Sequence, residues 1–121
     1  MAIIGKQRKV GPITILELGE RLTMEGVGEL HEKVQSLLDS GHQELLLDCS
    51  RVIAIDSWGV GALVRNWTAV QRRGGKLKLL HLQPLMRGTL EVTGLLNVIE
   101  CFDDPGLARR SYQCVVDWRE T

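Results

Sequence analysis

Residues 52–59 read VIAIDSWG, an apolar segment that runs directly into Asp-Ser-Trp-Gly and is followed by apolar residues at helical spacing. This order places Ser57 at the N-terminus of a predicted helix. The first backbone N–H groups of a helix have no partner within it, and the helix dipole is positive at that end. A phosphate is therefore favourable there, and Ser57 is the first candidate for a functional residue.

The chain on either side of this stretch alternates between strand-like and helical patterns. Strand-like runs lie around Lys9-Val10 and over Ile13–Leu18, split by Gly11-Pro12 into a hairpin or two short strands, and over Glu44–Asp48, 76–82 and 98–102. Helical spacing is found over 27–38, 57–73 and 85–97, with a break or end at Gly94, and again after Pro105, with Leu107, Ala108, Tyr112 and Val115 on the buried side. This alternation predicts an α/β fold, a mixed sheet covered by helices.

Length and charge narrow the functional classes. The 121 residues suit one domain, 1–121, with residues 117–121 expected to fray and Trp118 able to pack back. Fifteen basic and fifteen acidic residues give a net charge of zero, which does not favour nucleic acid or an anionic membrane as a partner. No stretch approaches the roughly 20 apolar residues that span a bilayer. We therefore expect a cytoplasmic protein.

The cysteines and histidines predict neither a metal site nor a cofactor. Cys49, Cys101 and Cys114 are far apart and are expected to be reduced thiols. His31, His42 and His81 are scattered and show no zinc spacing; the last two are the histidines closest to Ser57 along the chain. Because no base accompanies Ser57 in the sequence, we predict no catalytic residue and no enzymatic activity.

Two roles for Ser57 follow from its position. Either Ser57 or Asp56 can cap the helix, since a side-chain oxygen there accepts a hydrogen bond from an early N–H group, an interaction worth about 1 kcal/mol. Alternatively, Ser57 is phosphorylated, which adds close to two negative charges. Asp56 would oppose that charge, as would Asp48 if the loop folds back toward the helix.

The neighbours of Ser57 are also open to two interpretations. Gly59 and Gly61 cost helix stability, so they indicate either close packing of the first turn against a strand or steric access for a partner to Ser57. Trp58 lies off the apolar face of the helix. It either points outward as a partner anchor or covers the small residues Gly61 and Ala62.

Taken together, these features resemble the STAS domain family, specifically the bacterial anti-sigma factor antagonists. The resemblance rests on Leu45-Leu-Leu-Asp48, Ile55-Asp56-Ser57-x-Gly59-x-Gly61-x-Leu63, Gly74-Gly75-Lys-Leu and Leu90-x-x-x-Gly94-Leu95, and it covers nearly the whole chain. The run around Ser57 is its most specific part. The resemblance implies a mixed sheet of four to five strands with about four helices packed on one face.

The resemblance also implies a function. Ser57 would be the phosphoacceptor of a serine kinase that is itself the anti-sigma factor, and a phosphatase would be a second partner. The unphosphorylated antagonist binds the kinase and frees the sigma factor. Asp56 would be the motif neighbour of the serine, and Trp58, Gly59 and Gly61 would belong to the docking surface.

Two positions depart from the family pattern. Many members carry Ser or Thr where this chain has Trp58. Many also have an Asp near the serine, in the loop before the first helix, where Glu25 is the only acid here and is the candidate docking residue. Both departures favour a nonstandard partner. The alternative function is a constitutive STAS interaction subunit of a lipid-transport or stress-signalling complex, in which Ser57 is only a helix cap. The 44% apolar composition and Trp58 allow either a monomer or a weak homodimer.

Overall fold

In the computed structural model, which describes residues 3–113, helices and strands follow one another much as the apolar pattern predicts. The strands are β1 (Ile4–Val10), β2 (Ile13–Leu18), β3 (Arg21–Leu22), β4 (Glu44–Asp48), β5 (Ala54–Ile55), β6 (Lys76–Leu80) and β7 (Cys101–Phe102). The helices are α1 (Val27–Asp39), α2 (Ser57–Arg72), α3 (Pro84–Val92) and α4 (Pro105–Gln113), with a short 3₁₀ turn at Leu95–Asn97. The predictions about Cys114, Val115, Trp118 and residues 117–121 lie outside the described residues.

Five strands form the main sheet in the order β1-β2-β4-β6-β7. The hairpin of β1 and β2 is antiparallel and turns at Gly11, whose φ of +59° favours glycine. The other neighbouring strands run parallel. This arrangement confirms the predicted mixed sheet.

Helices cover both faces of this sheet. On one face, α1, α2 and α3 pack over a large apolar cluster that contains Leu45 and Leu47 of β4. On the other face, α4 packs over a smaller cluster that contains Leu46. The prediction of four helices is confirmed, but the expectation that all pack on one face is wrong for α4. The parallel strands are apolar on both faces, so the second face also needs a cover.

A second sheet consists only of β3 and β5, two residues each. They pair in parallel, with Arg21 opposite Ala54 and Leu22 opposite Ile55. The sequence pattern did not predict them. Because β5 leads directly into α2 and β3 leads toward α1, this short pairing holds the start of α2 beside the connection before α1.

Two further boundaries refine the predictions. The helix expected over 85–97 ends at Val92, and Gly94, with φ of +79°, separates it from the 3₁₀ turn. The strand expected over 98–102 begins only at Cys101. Within residues 3–113, no helix is both long enough and apolar enough to cross a membrane.

Candidate functional site

The start of α2 is capped by Asp56. Its Oδ1 accepts a hydrogen bond from the Gly59 N–H at 2.9 Å, and its Oδ2 accepts one from the Met24 N–H at 3.3 Å. Its backbone is extended, as an N-cap requires, and its carbonyl accepts the first helical bond, from Val60. Ser57 is therefore the first helical residue, and the alternative in which Ser57 serves as the cap is wrong.

The hydroxyl group of Ser57 is exposed. Within residues 3–113 it forms no hydrogen bond, and the backbone N–H groups of Ser57 and Trp58 also have no acceptor there. No histidine or carboxylate contacts the hydroxyl to activate it as a nucleophile in the described part of the chain. The geometry suits a group that is modified from outside rather than one that attacks a substrate.

The two glycines of α2 have different surroundings. A Cβ added to Gly59 would lie 2.1 Å from the Leu22 carbonyl oxygen and 2.9 Å from Cγ1 of Ile55, so close packing explains this glycine. A Cβ on Gly61 would meet only Nη1 of Arg65, at 3.7 Å. Gly61 leaves an open surface one turn along the helix from Ser57, so steric access remains an explanation at that position.

Exposed apolar side chains occur in the segment that carries Ser57 and in the loop that is hydrogen-bonded to Asp56. Trp58 is 53% exposed, and none of its atoms lies within 4 Å of the Cβ position of Gly61, so it does not cover that glycine. Met24 and Ile53 are each 59% exposed. We call Met24, Ile53, Ser57 and Trp58 the Ser57 surface. Exposed large apolar side chains are typical of a protein-binding surface.

The acidic residues named from the sequence are only partly brought together. Glu25 and Asp56 line one open depression beside the Ser57 surface, and Arg21 is a basic residue in the same lining. Asp48 is elsewhere. It is 8% exposed and lines a cavity on the α4 face of the sheet, whereas α2 covers the other face. The expectation that Asp48 adds charge beside Ser57 is therefore wrong.

Met24 and Arg21 were not predicted as members of the site. They reach it because β3 pairs with β5 and because the Met24 N–H donates to Asp56. Two-residue strands have no periodic pattern, so the pairing of β3 with β5 cannot be predicted from the sequence pattern.

The cysteines in the described region are not poised for chemistry. Burial raises the pKa of Cys49 far above its ordinary value. Burial also raises the pKa of Cys101 to about 11, although the charge of Arg87 opposes the rise. Both thiols are therefore protonated near neutral pH and are poor nucleophiles. Among residues 3–113, no group of three or more His, Cys, Asp or Glu residues is placed to hold a metal ion.

Comparison with known protein sequences identifies a family. The family model described as Mlab, STAS domain matches residues 7–100. The anti-sigma-B factor antagonist of Bacillus subtilis (strain 168) is 32% identical over 71 residues, which cover 59% of this chain and 64% of that protein. The aligned region thus spans just under two thirds of that relative.

Solved structures share the fold. A candidate anti-sigma factor antagonist from Thermotoga maritima superposes with a TM-score of 0.82 at 22% identity, covering 88% of this chain and 92% of that one. The Bacillus cell fate determinant SpoIIAA in its phosphorylated form gives a TM-score of 0.68 at 19% identity, covering 88% and 97%. At these identities the similarity establishes the fold.

Proposed function

The chain belongs to the STAS domain family, and on that premise we propose that it is an anti-sigma factor antagonist that works by partner switching. Unphosphorylated, it binds a cytoplasmic anti-sigma factor that is also a serine kinase. Phosphorylation of Ser57 releases it, and a phosphatase restores the binding form. The observation that carries this proposal is the exposed hydroxyl of Ser57, which has no hydrogen-bond partner within residues 3–113 and stands beside a helix cap supplied by another residue, Asp56.

The start of α2 is well suited to a phosphoryl group. The N–H groups of Ser57 and Trp58, which have no acceptor within residues 3–113, point from the positive end of the helix dipole. Asp56 already satisfies the Gly59 N–H, so the cap need not be broken when Ser57 is modified. A phosphate adds about −1.5 to −2 charges beside Asp56 and Glu25. The result is a strongly acidic surface.

This charge is expected to act without a large change of shape. The first turn of α2 is fixed because Gly59 packs directly on the Leu22 carbonyl and because Asp56 accepts the Met24 N–H. The switch therefore operates on the surface rather than through the fold. A partner that covers the Ser57 surface would have to desolvate a phosphate among apolar groups, which disfavours binding.

The protein acts in this scheme as a kinase substrate and a binding module, not as an enzyme. The hydroxyl of Ser57 has no contacting base in the described region, and the thiols of Cys49 and Cys101 are protonated near neutral pH. Trp58 supplies the largest exposed apolar group of the surface and is the strongest candidate for a partner anchor.

Phosphorylation is tested with an anti-sigma factor serine kinase from the same organism. The purified chain is incubated with this kinase and ATP, and its intact mass is measured. We expect one added phosphoryl group on the wild type and on Ser40→Ala, a control at an exposed serine that ends α1. Ser57→Ala should remain unmodified. Full phosphorylation of Ser57→Ala would refute the assignment.

Partner switching is tested separately by calorimetric titration of the kinase. We expect the phosphorylated chain and Ser57→Glu to bind more weakly than the wild type, while Ser40→Glu, with the same added charge, binds normally. If Ser57→Glu and the phosphorylated chain bind as tightly as the wild type, the chain is a constitutive interaction subunit instead.

A further inference from the structure

A cavity of about 250 Å³ lies on the α4 face of the sheet, on the side opposite to α2. Its walls include the apolar side chains of Ile13, Leu46 and Leu80. Small-molecule pockets usually measure roughly 300–1,000 Å³, so this cavity admits only a small ligand. It lies apart from the Ser57 surface and plays no part in the function proposed above.

Asp48 gives the cavity a buried negative charge. Its side chain lines the cavity, it is 8% exposed, and its Oδ1 accepts a hydrogen bond from the Ser50 N–H at 3.0 Å. Within residues 3–113 no Lys, Arg or His lies within 4.0 Å of this carboxylate. A buried carboxylate without an ionic partner is costly, so the site favours a ligand with a cationic donor.

Two arginines line the same cavity. Arg8 is on the edge strand β1 and Arg109 is on α4, and neither forms an ion pair with another described residue. A guanidinium group binds a carboxylate through two parallel hydrogen bonds. The cavity thus combines a buried anion, apolar walls and two cationic groups at its exposed side.

We propose that this cavity binds a free α-amino acid with an apolar side chain. The ammonium group of the ligand pairs with Asp48, its carboxylate pairs with Arg8 and Arg109, and its side chain packs on the apolar wall. A ligand with only one of the two charges would leave either the buried carboxylate or the arginines without a partner. The zwitterion provides a partner for the Asp48 carboxylate and for the two arginines.

The backbone of the cavity wall supports this assignment. His81 lies in the lining and has a φ of +57°, which is unfavourable for a residue other than glycine. Its N–H donates to the Phe102 carbonyl at 2.8 Å, which holds this conformation. Strained residues of this kind occur preferentially at ligand sites. Asp48 and His81 also stand at the carboxyl ends of β4 and β6, where open α/β sheets bind their ligands.

The test is calorimetric titration of the full chain with L-leucine, L-isoleucine and L-phenylalanine. Isocaproate, which lacks the ammonium group of leucine, and isoamylamine, which lacks its carboxylate, are the matched probes. We expect saturable binding of at least one amino acid and binding at least tenfold weaker for both truncated probes, because each loses one charged hydrogen-bonding group.

Two variants locate the charges. Asp48→Asn keeps an oxygen for the Ser50 N–H and should weaken amino-acid binding about tenfold without affecting isocaproate. Arg109→Gln, at an exposed position, should weaken the binding of both the amino acid and isocaproate. Arg72→Gln, an exposed arginine of α2 outside the cavity, is the control and should change neither.

The proposal is overturned if none of the three amino acids binds saturably at millimolar concentration. It is equally overturned if isocaproate binds the wild type as tightly as leucine, or if a folded Asp48→Asn variant keeps full affinity. Should Asp48→Asn fail to fold, unchanged leucine binding by Arg109→Gln decides against the site. None of these measurements uses the kinase, so they stand independently of the phosphorylation of Ser57.

Discussion

The same substitution should have opposite effects at two positions of α2. In Gly59→Ala the new Cβ would lie 2.1 Å from the Leu22 carbonyl oxygen, a backbone atom that cannot rotate away. Overpacking of this kind costs up to about 3 kcal/mol, and the better helix propensity of Ala returns up to about 1 kcal/mol. We therefore expect Gly59→Ala to lower the free energy of unfolding by about 2 kcal/mol.

Gly61→Ala should stabilise the protein. Its Cβ would meet only Nη1 of Arg65, at 3.7 Å, an ordinary contact with the end of a flexible side chain. The gain is the difference in helix propensity, about 0.5–1 kcal/mol. Both variants are measured by urea and thermal unfolding followed by circular dichroism. For a domain of this size each kcal/mol shifts the melting temperature by about 4 °C.

The expected shifts are therefore about −8 °C for Gly59→Ala and about +2 to +4 °C for Gly61→Ala. A Gly59→Ala variant as stable as the wild type would show that the start of α2 is not held against β3 as described. Gly61→Ala also separates the two explanations of that glycine. If Gly61 provides access to Ser57, the variant should be phosphorylated more slowly despite its higher stability; if not, its rate should be unchanged.

Three further predictions concern stability. Asp56→Ala should lower the free energy of unfolding by about 1–2 kcal/mol, because the Gly59 N–H loses its cap. Asp56→Asn should lower it by less, and denaturant titration measures both values. The Nζ atom of Lys78 lies 4.6 Å from the centroid of the Tyr112 ring, and the Lys78 side chain is 6% exposed. Lys78→Ala should therefore lower the free energy of unfolding by about 3 kcal/mol. Lys78→Met keeps the packed stem and should lower it by about 1 kcal/mol. The stability of the wild type should fall as the pH rises from 9.0 toward about 11, because the Cys101 thiol ionises first in the unfolded chain. Unfolding titrations at several pH values should show a shallower fall for Cys101→Ser.

The regular elements were predictable because their burial repeats along the chain. All five apolar residues that define the pattern of α1, from Val27 to Leu38, are buried. The apolar spacing that correctly predicts α2 includes Val64, which is 39% exposed, and omits the polar Asn66, which is buried. Asn66 is accommodated because its Nδ2 donates to the Ala62 carbonyl at 2.8 Å, a bond that no hydrophobic pattern reveals.

Which face an element covers was less predictable. The run Leu45-Leu-Leu places apolar groups on both faces of β4, so the sequence could not tell on which face Asp48 lies or where α4 packs. The candidate site was predicted at Ser57 and its helix, whose motif is local. Of the loop before α1, the resemblance pointed to Glu25, while the place of Met24 depends on the short pairing of β3 with β5. Long-range contacts of this size leave no periodic signal.

The pairing of β3 with β5 also determines whether a short peptide can replace the folded site. The groups that hold Ser57 in place come from residues near 22–24 and from residues 55–59, about thirty positions later in the chain. A synthetic peptide copying residues 50–65 would contain the serine, the tryptophan and both glycines but neither the Leu22 carbonyl nor the Met24 N–H. Such a peptide should be a poor kinase substrate and a poor competitor for the partner. The kinase and the partner would then recognise Ser57 only in the folded domain.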